Sequence, residues 1–500
     1  MNPISLSAAD FSWLPILPMA VVAIGAIVVL LAGVHVDDSD SDGLGWLAIA
    51  TLFLALLLTF GIFGQTGFTF AGAIAMDSFT AYFDVVVLLA TMMTVLMSID
   101  YAGRNRMPGA EYYSLIMFSA LGMMMMAGAG DLIVIFIGLE TMSIAVYVLA
   151  GMARRDPKSN EAAIKYFLLG AFSTGFLLYG IALIYGATGT IKIGPLAAAI
   201  ASGSMNSNAL LLPGVGLLLI GFGFKVAAVP FHMWAPDVYE GAPTPVTAFM
   251  AVGVKLAAFA GLLRVFLIAL GPAAVHWSLV VAVIAALTMT VGNLLAVVQS
   301  GIKRMLAYSA IAHAGYLLVG VAAGAGSGGA ILYYLLAYSV ANLGAFGVVL
   351  AIERTGEIGS GKISGLRGLS SRSPMLAAAM TVFMLSLTGV PPLAGFAGKF
   401  YLFNAALNQG YTGLVIIGVL NSAVSAYYYF SVLVAMYMQE GGAEESEVRR
   451  ARPALAAAIG IAALATIAIG MFPQSYIASA ENAFHSAAIT ETQRAVSLAQ

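Results

Sequence analysis

The chain has 500 residues, of which 61% are hydrophobic and only 9% are charged, and its mean hydropathy is +0.97. This composition excludes the soluble globular classes and indicates a polytopic helical membrane protein. The net charge of −2 adds little, because nearly every charge lies in a loop. The sequence contains no cysteine, which excludes disulfides and thiolate-ligated zinc or iron–sulfur sites, so any redox centre belongs to a partner.

Fourteen apolar stretches are long enough, at about 20 residues each, to cross a bilayer. The first of them is expected to be a retained helix, because the N-terminal segment lacks the basic region of a cleaved signal and contains Asp10. The connections are too short to form a domain outside the membrane. The predicted spans are residues 14–36, 45–64, 79–98, 112–129, 132–152, 162–185, 210–231, 244–270, 279–299, 305–324, 330–352, 375–407, 411–438 and 454–471.

The seventh and twelfth spans are expected to be broken helices. Pro230 and Pro236 interrupt the seventh, and the sequence TGVPP at 388–392 lies within the twelfth. Proline removes a backbone donor and clashes with the preceding turn. The groups that it frees are tolerated at membrane depth only where protein or a water-filled cavity satisfies them. The predicted fold class is therefore all-α, a polytopic membrane protein of about fourteen transmembrane helices.

The order of the spans also predicts internal symmetry. The two broken helices are five spans apart and so run in opposite directions, which favours two inverted five-helix repeats. The predicted units are the N-terminal helices 1–3 (1–110), a first repeat of helices 4–8 (111–270), a second repeat of helices 9–13 (271–440), and helix 14 with the C-terminal tail (441–500).

The basic residues predict the orientation. Most of the 21 lysines and arginines lie in the loops after predicted helices 3, 5, 9, 11 and 13, whereas the opposite loops and the tail offer only Lys192 and Arg494. By the positive-inside rule the first set of loops faces the cytoplasm and both termini face outward. The acidic run at 37–42 is interpreted as a solvated linker, since the glycine and terminal glutamate of a calcium loop are missing.

Five basic residues fall inside the predicted spans, where a charge costs about 2.5–3.5 kcal/mol on insertion scales. Lys165 and Arg264 lie near span ends, so both are expected to extend to an interface. The other three lie deeper and need a partner, a water-filled cavity or a function; they are Lys225, Lys255 and Lys399.

The clearest buried acid is Glu140, about nine residues into helix 5, and it is the expected partner of Lys225. At about 4 Å and an effective dielectric constant near 20, such a pair gains about 4 kcal/mol. A lysine whose proton affinity depends on a nearby carboxylate is a proton switch. The alternative is a static ion pair that only joins helices 5 and 7, but it leaves two further lysines at depth unexplained.

Lys255 and Lys399 extend this pattern toward the second half of the chain. A row of buried lysines, interspersed with hydroxyl and imidazole groups, is typical of a hydrated proton path. His232 and His313 are candidate relay residues, and His232 follows Lys225 by seven positions. The alternative for each histidine is a hydrogen-bonded packing residue. The sequence shows no pattern typical of a metal site, a nucleophilic triad or a phosphate-binding loop.

Four long motifs resemble one known family. They are PFHMWAPDVYEGAPTPVTAF, EAAIKYFLLGAFSTGFLLYG, IKRMLAYSAIAHAGYLLVG and LTGVPPLAGFAGKFYLF, within a resemblance that covers about residues 75–440. The chain is similar to the antiporter-like membrane subunits of respiratory complex I, the NADH–quinone oxidoreductase. The DVYEGAPTPVTAF form resembles the subunit N branch, the counterpart of mitochondrial subunit 2. Subunit M has a glutamate where this chain has Lys399, and subunit L has a long lateral C-terminal helix, so the chain differs from both.

The resemblance implies a function in proton translocation. In that family, quinone reduction in partner subunits drives proton movement through positions that match Glu140, Lys225, Lys255 and Lys399. It implies no cofactor in this chain, with flavin, iron–sulfur clusters and quinone in the partners. The expected partners are other membrane subunits, including a neighbouring antiporter-like subunit and small membrane subunits, together with lipid and protons but no nucleic acid. The implied location is the bacterial inner membrane.

Three other functions stay open from the sequence. A stand-alone sodium–proton antiporter would use Glu140 as its ion carboxylate, although sodium prefers oxygen ligands and the deep charges are mostly lysines. A structural spacer that conducts no protons predicts a dry interior around the lysines. The same module in a membrane-bound hydrogenase or a related ferredoxin-driven complex differs only in its partner subunits.

Overall fold

The computed structural model describes residues 12–36, 41–105, 107–202, 209–353, 361–440 and 453–499. The described chain is almost entirely helical. Its helices are α1 Leu17–Ala32, α2 Asp42–Thr59, α3 Ser78–Arg104, α4 Gly109–Ala127, α5 Leu132–Ala150, α6 Pro157–Thr188, α7 Ile193–Ala201, α8 Leu211–Lys225, α9 Trp234–Gly241, α10 Thr244–Phe249, α11 Lys255–Leu262, α12 Ala274–Val297, α13 Ile302–Ala323, α14 Gly328–Ile352, α15 Leu369–Arg372, α16 Pro374–Thr388, α17 Ala394–Asn408, α18 Thr412–Met438, α19 Pro453–Met471 and α20 Pro473–Ala499.

Within the described residues, twelve helices are long and apolar enough to cross a membrane, by length and composition. Most of their ends fall within about five residues of the predicted spans, as with Thr412–Met438 against the predicted 411–438. Gly271–Val297 begins eight residues before the predicted 279, and Ser78–Arg104 ends six residues after the predicted 98. The helical multi-pass membrane fold is confirmed. The total of fourteen spans and the two-repeat division stay predictions. The acidic linker lies outside the described residues except for Ser41 and Asp42.

Both predicted helix breaks are present. α8 ends at Lys225, residues 226–233 are irregular, and the short helix α9 follows. α16 ends at Thr388, and residues 389–393 connect it to α17. The last four carbonyls of a helix have no partner within that helix. At the first break the last-turn carbonyls are paired with amides of the following segment and with Trp234 Nε1, whereas at the second break those of Leu387 and Thr388 are left for a side chain.

Side-chain caps fix where several helices begin. Asp77 accepts a hydrogen bond from the Thr80 amide at the start of α3, and Asp131 accepts one from the Val134 amide at the start of α5. Such a carboxylate satisfies an amide that the first helical turn leaves without a partner and opposes the positive end of the helix dipole.

The span from Thr244 to Ala269 is one continuous rod with two π-helical segments. α10 passes through the π-helical residues Met250–Val254 into α11, which continues into the second π-helical segment, Leu263–Ala269. Isolated π-helical turns within α-helices occur frequently at functional sites. This rod and α13 are the most deeply buried spans, whereas α1 and α19 leave most of their surface exposed. The rod and α13 thus form the centre of the bundle.

Two elements were not predicted. The strands β1 Gly67–Thr69 and β2 Ile74–Met76 form an antiparallel hairpin before α3. The C-terminal tail is the 27-residue helix α20, which packs against α3, α7 and α14. Hydropathy did not reveal α20, because polar side chains are interspersed among its apolar ones and lower its mean hydropathy. For the same reason α20 is not among the candidate membrane spans.

Candidate functional site

Lys225 lies at the C-terminal end of α8, and its side chain is only 3% exposed. Its ammonium group donates hydrogen bonds to Ser143 Oγ at 2.7 Å and to Tyr147 OH at 3.2 Å. It also lies 5.2 Å and 5.5 Å from the ring centres of Tyr147 and Tyr166. Hydroxyl oxygens and aromatic faces stabilise a cation without neutralising it. The site can therefore hold a proton on Lys225 without a carboxylate in contact.

Glu140 is half-buried, although the sequence predicted a buried acid. It forms no ion pair with Lys225 within 4.0 Å, and its Oε1 has no hydrogen-bond partner among the described residues. Its charge still acts on Lys225 and on Tyr147 through space. The expected direct contact between Glu140 and Lys225 is therefore absent. The hydroxyl groups of Ser143 and Tyr147 accept the hydrogen bonds of the Lys225 ammonium group instead.

Sequence reasoning missed Ser143 and Tyr147. Both share a face of α5 with Glu140, since residues three and seven positions apart lie on the same side of a helix. This spacing is a usable signal. Once Glu140 is assigned to a functional face, the hydroxyl-bearing residues at those offsets become candidates for the same site.

Lys255 begins α11 directly after the π-helical residues Met250–Val254 and is 3% exposed. Its ammonium group donates to the carbonyl oxygen of Ala310 on α13 and to Tyr338 OH at 3.4 Å. It lies 4.5 Å from the centre of the Tyr338 ring. Lys255 thus connects the first half of the bundle to α13 and α14.

His313 lies between Lys255 and Lys399. Its Nδ1 is 2.6 Å from Tyr334 OH and its Nε2 is 3.1 Å from Tyr429 OH. The charges of both lysines act on its ring. An imidazole with a hydroxyl group at each nitrogen can accept a proton on one side and release one on the other. The geometry therefore suits a relay as well as a packing role.

Lys399 lies on α17 with its ammonium group at the break in the twelfth predicted span. It donates to the carbonyl oxygens of Leu387 at 3.1 Å and Thr388 at 2.9 Å, and to Ser422 Oγ at 2.9 Å. The two carbonyls belong to the last turn of α16, where the negative end of the helix dipole favours a cation. The break thus creates the binding site for this ammonium group.

His232 is not joined to this network. It is half-buried, and its Nδ1 has no hydrogen-bond partner within the described residues. The irregular segment that holds it is anchored instead by a hydrogen bond of 2.9 Å from the Val229 amide to Thr288 Oγ. Its relay role stays a prediction without a contact to support it.

The two span-end cations behave differently from each other. Lys165 is 41% exposed and pairs with Glu161 and Asp237 beside a cavity of about 130 Å³. Arg264 was expected to extend to an interface, which is wrong, since its side chain is fully buried. A buried carboxylate, Asp77, pairs with it and removes the need to reach water.

The sequence and fold of this chain are similar to those of known membrane proteins. Residues 129–425 match the family model described as NADH:quinone oxidoreductase/Mrp antiporter, TM. The NADH-quinone oxidoreductase subunit N of Trichlorobacter lovleyi is 47% identical over 469 residues, which are 94% of this chain and 96% of that protein.

Solved structures share the fold. One chain of respiratory complex I from Thermus thermophilus with bound aureothin has a TM-score of 0.80 and 37% identity, covering 93% of this chain and 100% of that one. A chain of an archaeal respiratory membrane complex, the membrane-bound sulfane sulfur reductase, has a TM-score of 0.84 at 24% identity, covering 97% and 99%. The second likeness shows the fold alone.

Proposed function

Because the chain belongs to the subunit N family of NADH-quinone oxidoreductase, we propose that it is a proton-translocating membrane subunit of that complex. The observation that supports this function best is the series of ammonium groups held by neutral oxygen atoms deep in the bundle. Lys255 and Lys399 lie on either side of His313. Lys225 lies at the break between α8 and α9.

The chemistry follows from the partners of each lysine. A carboxylate in direct contact would hold an ammonium proton tightly, whereas carbonyl and hydroxyl oxygens stabilise the charge more weakly. Each lysine is therefore able to lose its proton when a nearby charge changes. Glu140 supplies such a charge for Lys225 without contacting it.

The proposed path starts at the cytoplasmic side, which loads Lys225 and Lys255. Protons then pass through His313 toward Lys399 and leave toward the outside. Movement or neutralisation of Glu140 changes the hold on the Lys225 proton and gates the transfer. The basic loops support this orientation, with both termini on the outer side of the bacterial inner membrane.

The driving reaction takes place in other subunits. The chain has no cysteine, so it offers no thiolate for an iron–sulfur cluster. Within the described residues, no group of three histidines or acidic residues is placed to hold a metal ion. We propose that flavin, iron–sulfur clusters and the quinone belong to partner subunits, and that this chain contacts a neighbouring antiporter-like subunit and small membrane subunits.

Inverted membrane vesicles that contain the assembled complex test the proposal. NADH oxidation and proton uptake are measured together for Lys225→Met and Glu140→Gln. Lys158→Met is the matched control, because Lys158 is exposed at the start of α6, where its ammonium group pairs, among the described residues, only with the surface carboxylate of Glu240. We expect both site variants to lose most proton uptake and the control to keep it. Normal coupled pumping in both site variants would refute the gating role.

The stand-alone antiporter and the hydrogenase-type complex make different predictions. The purified chain alone in liposomes would exchange sodium for protons in the first case. In the second, ferredoxin-linked rather than NADH-linked subunits would co-purify with it. A structural spacer predicts normal pumping in Lys225→Met.

A further inference from the structure

The proton path proposed above uses none of the charged groups that lie where α20 packs against the outer ends of the membrane-spanning helices. Arg264, nine residues after Lys255 in the same rod, is buried there about 13 Å farther along the helix axis. Its Nη2 donates to both carboxylate oxygens of Asp77 at 2.9 Å, and its Nε donates to the Ala127 carbonyl at 2.7 Å. Arg264 is thus fixed in position by α3 and α4.

The remaining nitrogen of Arg264 faces a carboxylate on α20. Arg264 Nη1 lies 3.9 Å from Glu491 Oε1, and neither atom has a hydrogen-bond partner within the described residues. Glu491 is 1% exposed, and its Oε2 accepts a hydrogen bond of 2.9 Å from the Gly194 amide. Two facing polar atoms at this separation are placed to share a bridging water, and a carboxylate oxygen without a donor is free to take a proton.

A second buried carboxylate lies on the inner side of the same cluster. Asp84 follows Asp77 by seven residues, on the same face of α3, and is completely buried. Neither of its carboxylate oxygens has a hydrogen-bond partner in the described part of the chain. The charge of Arg264 acts on both Asp84 and Glu491.

We propose that Asp84 and Glu491 form an outlet for protons on the Lys255 side of the bundle, with Arg264 as the positioning residue between them. This inference rests on the proposed function and adds a second outer route to the one through Lys399. A proton binds a carboxylate oxygen of Asp84, passes through water to Glu491 Oε1, and leaves from there to the outer aqueous phase. Arg264 keeps its proton throughout.

The charges around Glu491 allow this cycle. The charged groups that act on Glu491 are Arg264 from the buried rod, Asp77 at the start of α3 and Arg494 on α20 itself. Asp131 and Lys192 lie one step away, since Asp131 acts on Arg494 and pairs with the Lys192 backbone. Burial raises the pKa of Glu491 to about 7, against the opposing effect of Arg264 and Arg494. A group that titrates near neutral pH can both accept and release protons under working conditions.

The experiment uses the complete complex in liposomes, with NADH supplied outside so that the lumen corresponds to the outer side. Protons moved per NADH are compared for the wild type, Glu491→Gln and Asp84→Asn. The control is Glu481→Gln, the same chemical change on α20 at an exposed position where the side chain accepts a hydrogen bond from Tyr401. Glutamine at 491 keeps the acceptor for the Gly194 amide, so packing is preserved.

We expect pumping to fall by up to about half in Glu491→Gln and Asp84→Asn, because one of two outer routes is lost, and to stay normal in Glu481→Gln. Wild-type release should also weaken as the lumenal pH falls through about 7, and Glu491→Gln should lose that dependence. Normal pumping with an unchanged pH profile in Glu491→Gln overturns the proposal. If Glu491→Gln does not assemble, Glu491→Asp is measured in its place. A dependence of proton release on lumenal pH that is the same in Glu491→Asp as in the wild type would also overturn the proposal.

The two proposals fail in distinguishable ways. If Lys225→Met pumps normally, the proposed function fails whatever Glu491 does. If the lysine variants lose pumping but Glu491→Gln and Asp84→Asn keep it, only the outlet fails.

Discussion

The three deep lysines share one feature at the residue scale. Within the described residues, none has a carboxylate within 4.0 Å, and each ammonium group is held by hydroxyl or carbonyl oxygens and lies over a tyrosine ring. A single hydrogen bond from a charged group to a neutral acceptor is worth about 1.5–3 kcal/mol, so an ammonium group can exchange its acceptors one at a time without leaving a buried carboxylate uncompensated. Protons held in this way are able to move.

Removing the hydroxyl groups around Lys225 should impair pumping while leaving Lys225 itself in place. Ser143→Ala removes the acceptor at 2.7 Å, and Tyr147→Phe removes the one at 3.2 Å. At about 1.5 kcal/mol or more per bond, we expect about a tenfold loss of pumping rate for the first change and a smaller one for the second. Dye-reported proton uptake during NADH oxidation measures both, and equal, unimpaired rates would contradict this role.

His313 should be needed for transfer between Lys255 and Lys399. His313→Phe removes both ring nitrogens and so the bonds to Tyr334 and Tyr429. We expect strongly reduced pumping, whereas His232→Phe, at a site without contacts to the network, should reduce it much less. Comparable losses in both variants would indicate packing damage instead of a relay.

The sequence showed which residues are charged at depth but not what they contact. Insertion cost singled out Lys225, Lys255 and Lys399 because it depends only on residue type and position in a span. The contacts depend on how helices pack, so the Ser143 and Tyr147 hydroxyls replaced the expected Glu140 carboxylate. For the same reason Arg264 proved fully buried against Asp77.

At the scale of elements, the break between α16 and α17 builds a site for a cation. It leaves the C-terminus of α16 inside the bundle, and the carbonyl groups of its last turn accept hydrogen bonds from Lys399 on α17. Gly389, in the left-handed region with φ +93°, ends α16, and a Cβ there would lie 3.2 Å from Lys399 Cδ. Glycine at this position permits both the turn and the close approach of the lysine.

Gly389→Ala should impair pumping more than the backbone strain alone explains. The matched control is Gly410→Ala, which has a similar φ of +85° but no atom within 4 Å of the added Cβ. Both variants pay about 1 kcal/mol for the left-handed conformation. Only Gly389→Ala also displaces Lys399. Assembly yield and proton uptake measure the two effects, and equal pumping in both would show that the contact with Lys399 is unimportant.

The docking of α20 should depend on pH through Glu491. Its folded-state pKa, raised by burial from 4.5 to about 7, means that the folded state binds this proton more tightly than the unfolded state. The stabilising effect of about 3 kcal/mol is complete below pH 4.5 and is lost as the pH rises through about 7. We expect hydrogen-exchange protection of α20, corrected for intrinsic rates, to fall over this range and Glu491→Gln to abolish the change.

Helix existence and boundaries were the most predictable part of the fold. Apolar length and proline positions are local properties, so the spans and both breaks follow from them. The hairpin of β1 and β2 is too short to give a sequence pattern, and the 27 residues of α20 carry too many polar side chains to register as a span.

At the scale of the whole molecule, the fold does not by itself specify the driving reaction. The archaeal sulfur-reducing complex contains a chain of the same fold, whereas the subunit N relative from Trichlorobacter lovleyi is 47% identical to this chain over 94% of its length. The lack of cysteine predicts that any iron–sulfur centre lies in a partner subunit, and this stays a prediction. The division into two inverted repeats stays a prediction.

The number of protons moved per NADH oxidised by the complete complex decides whether the buried lysines carry protons. We compare wild type with Lys255→Met, which removes the charge at the centre of the bundle, and with Lys362→Met at an exposed position. We expect a lower ratio in Lys255→Met and an unchanged ratio in Lys362→Met. An unchanged ratio in Lys255→Met would contradict the proton-carrying role of the lysines.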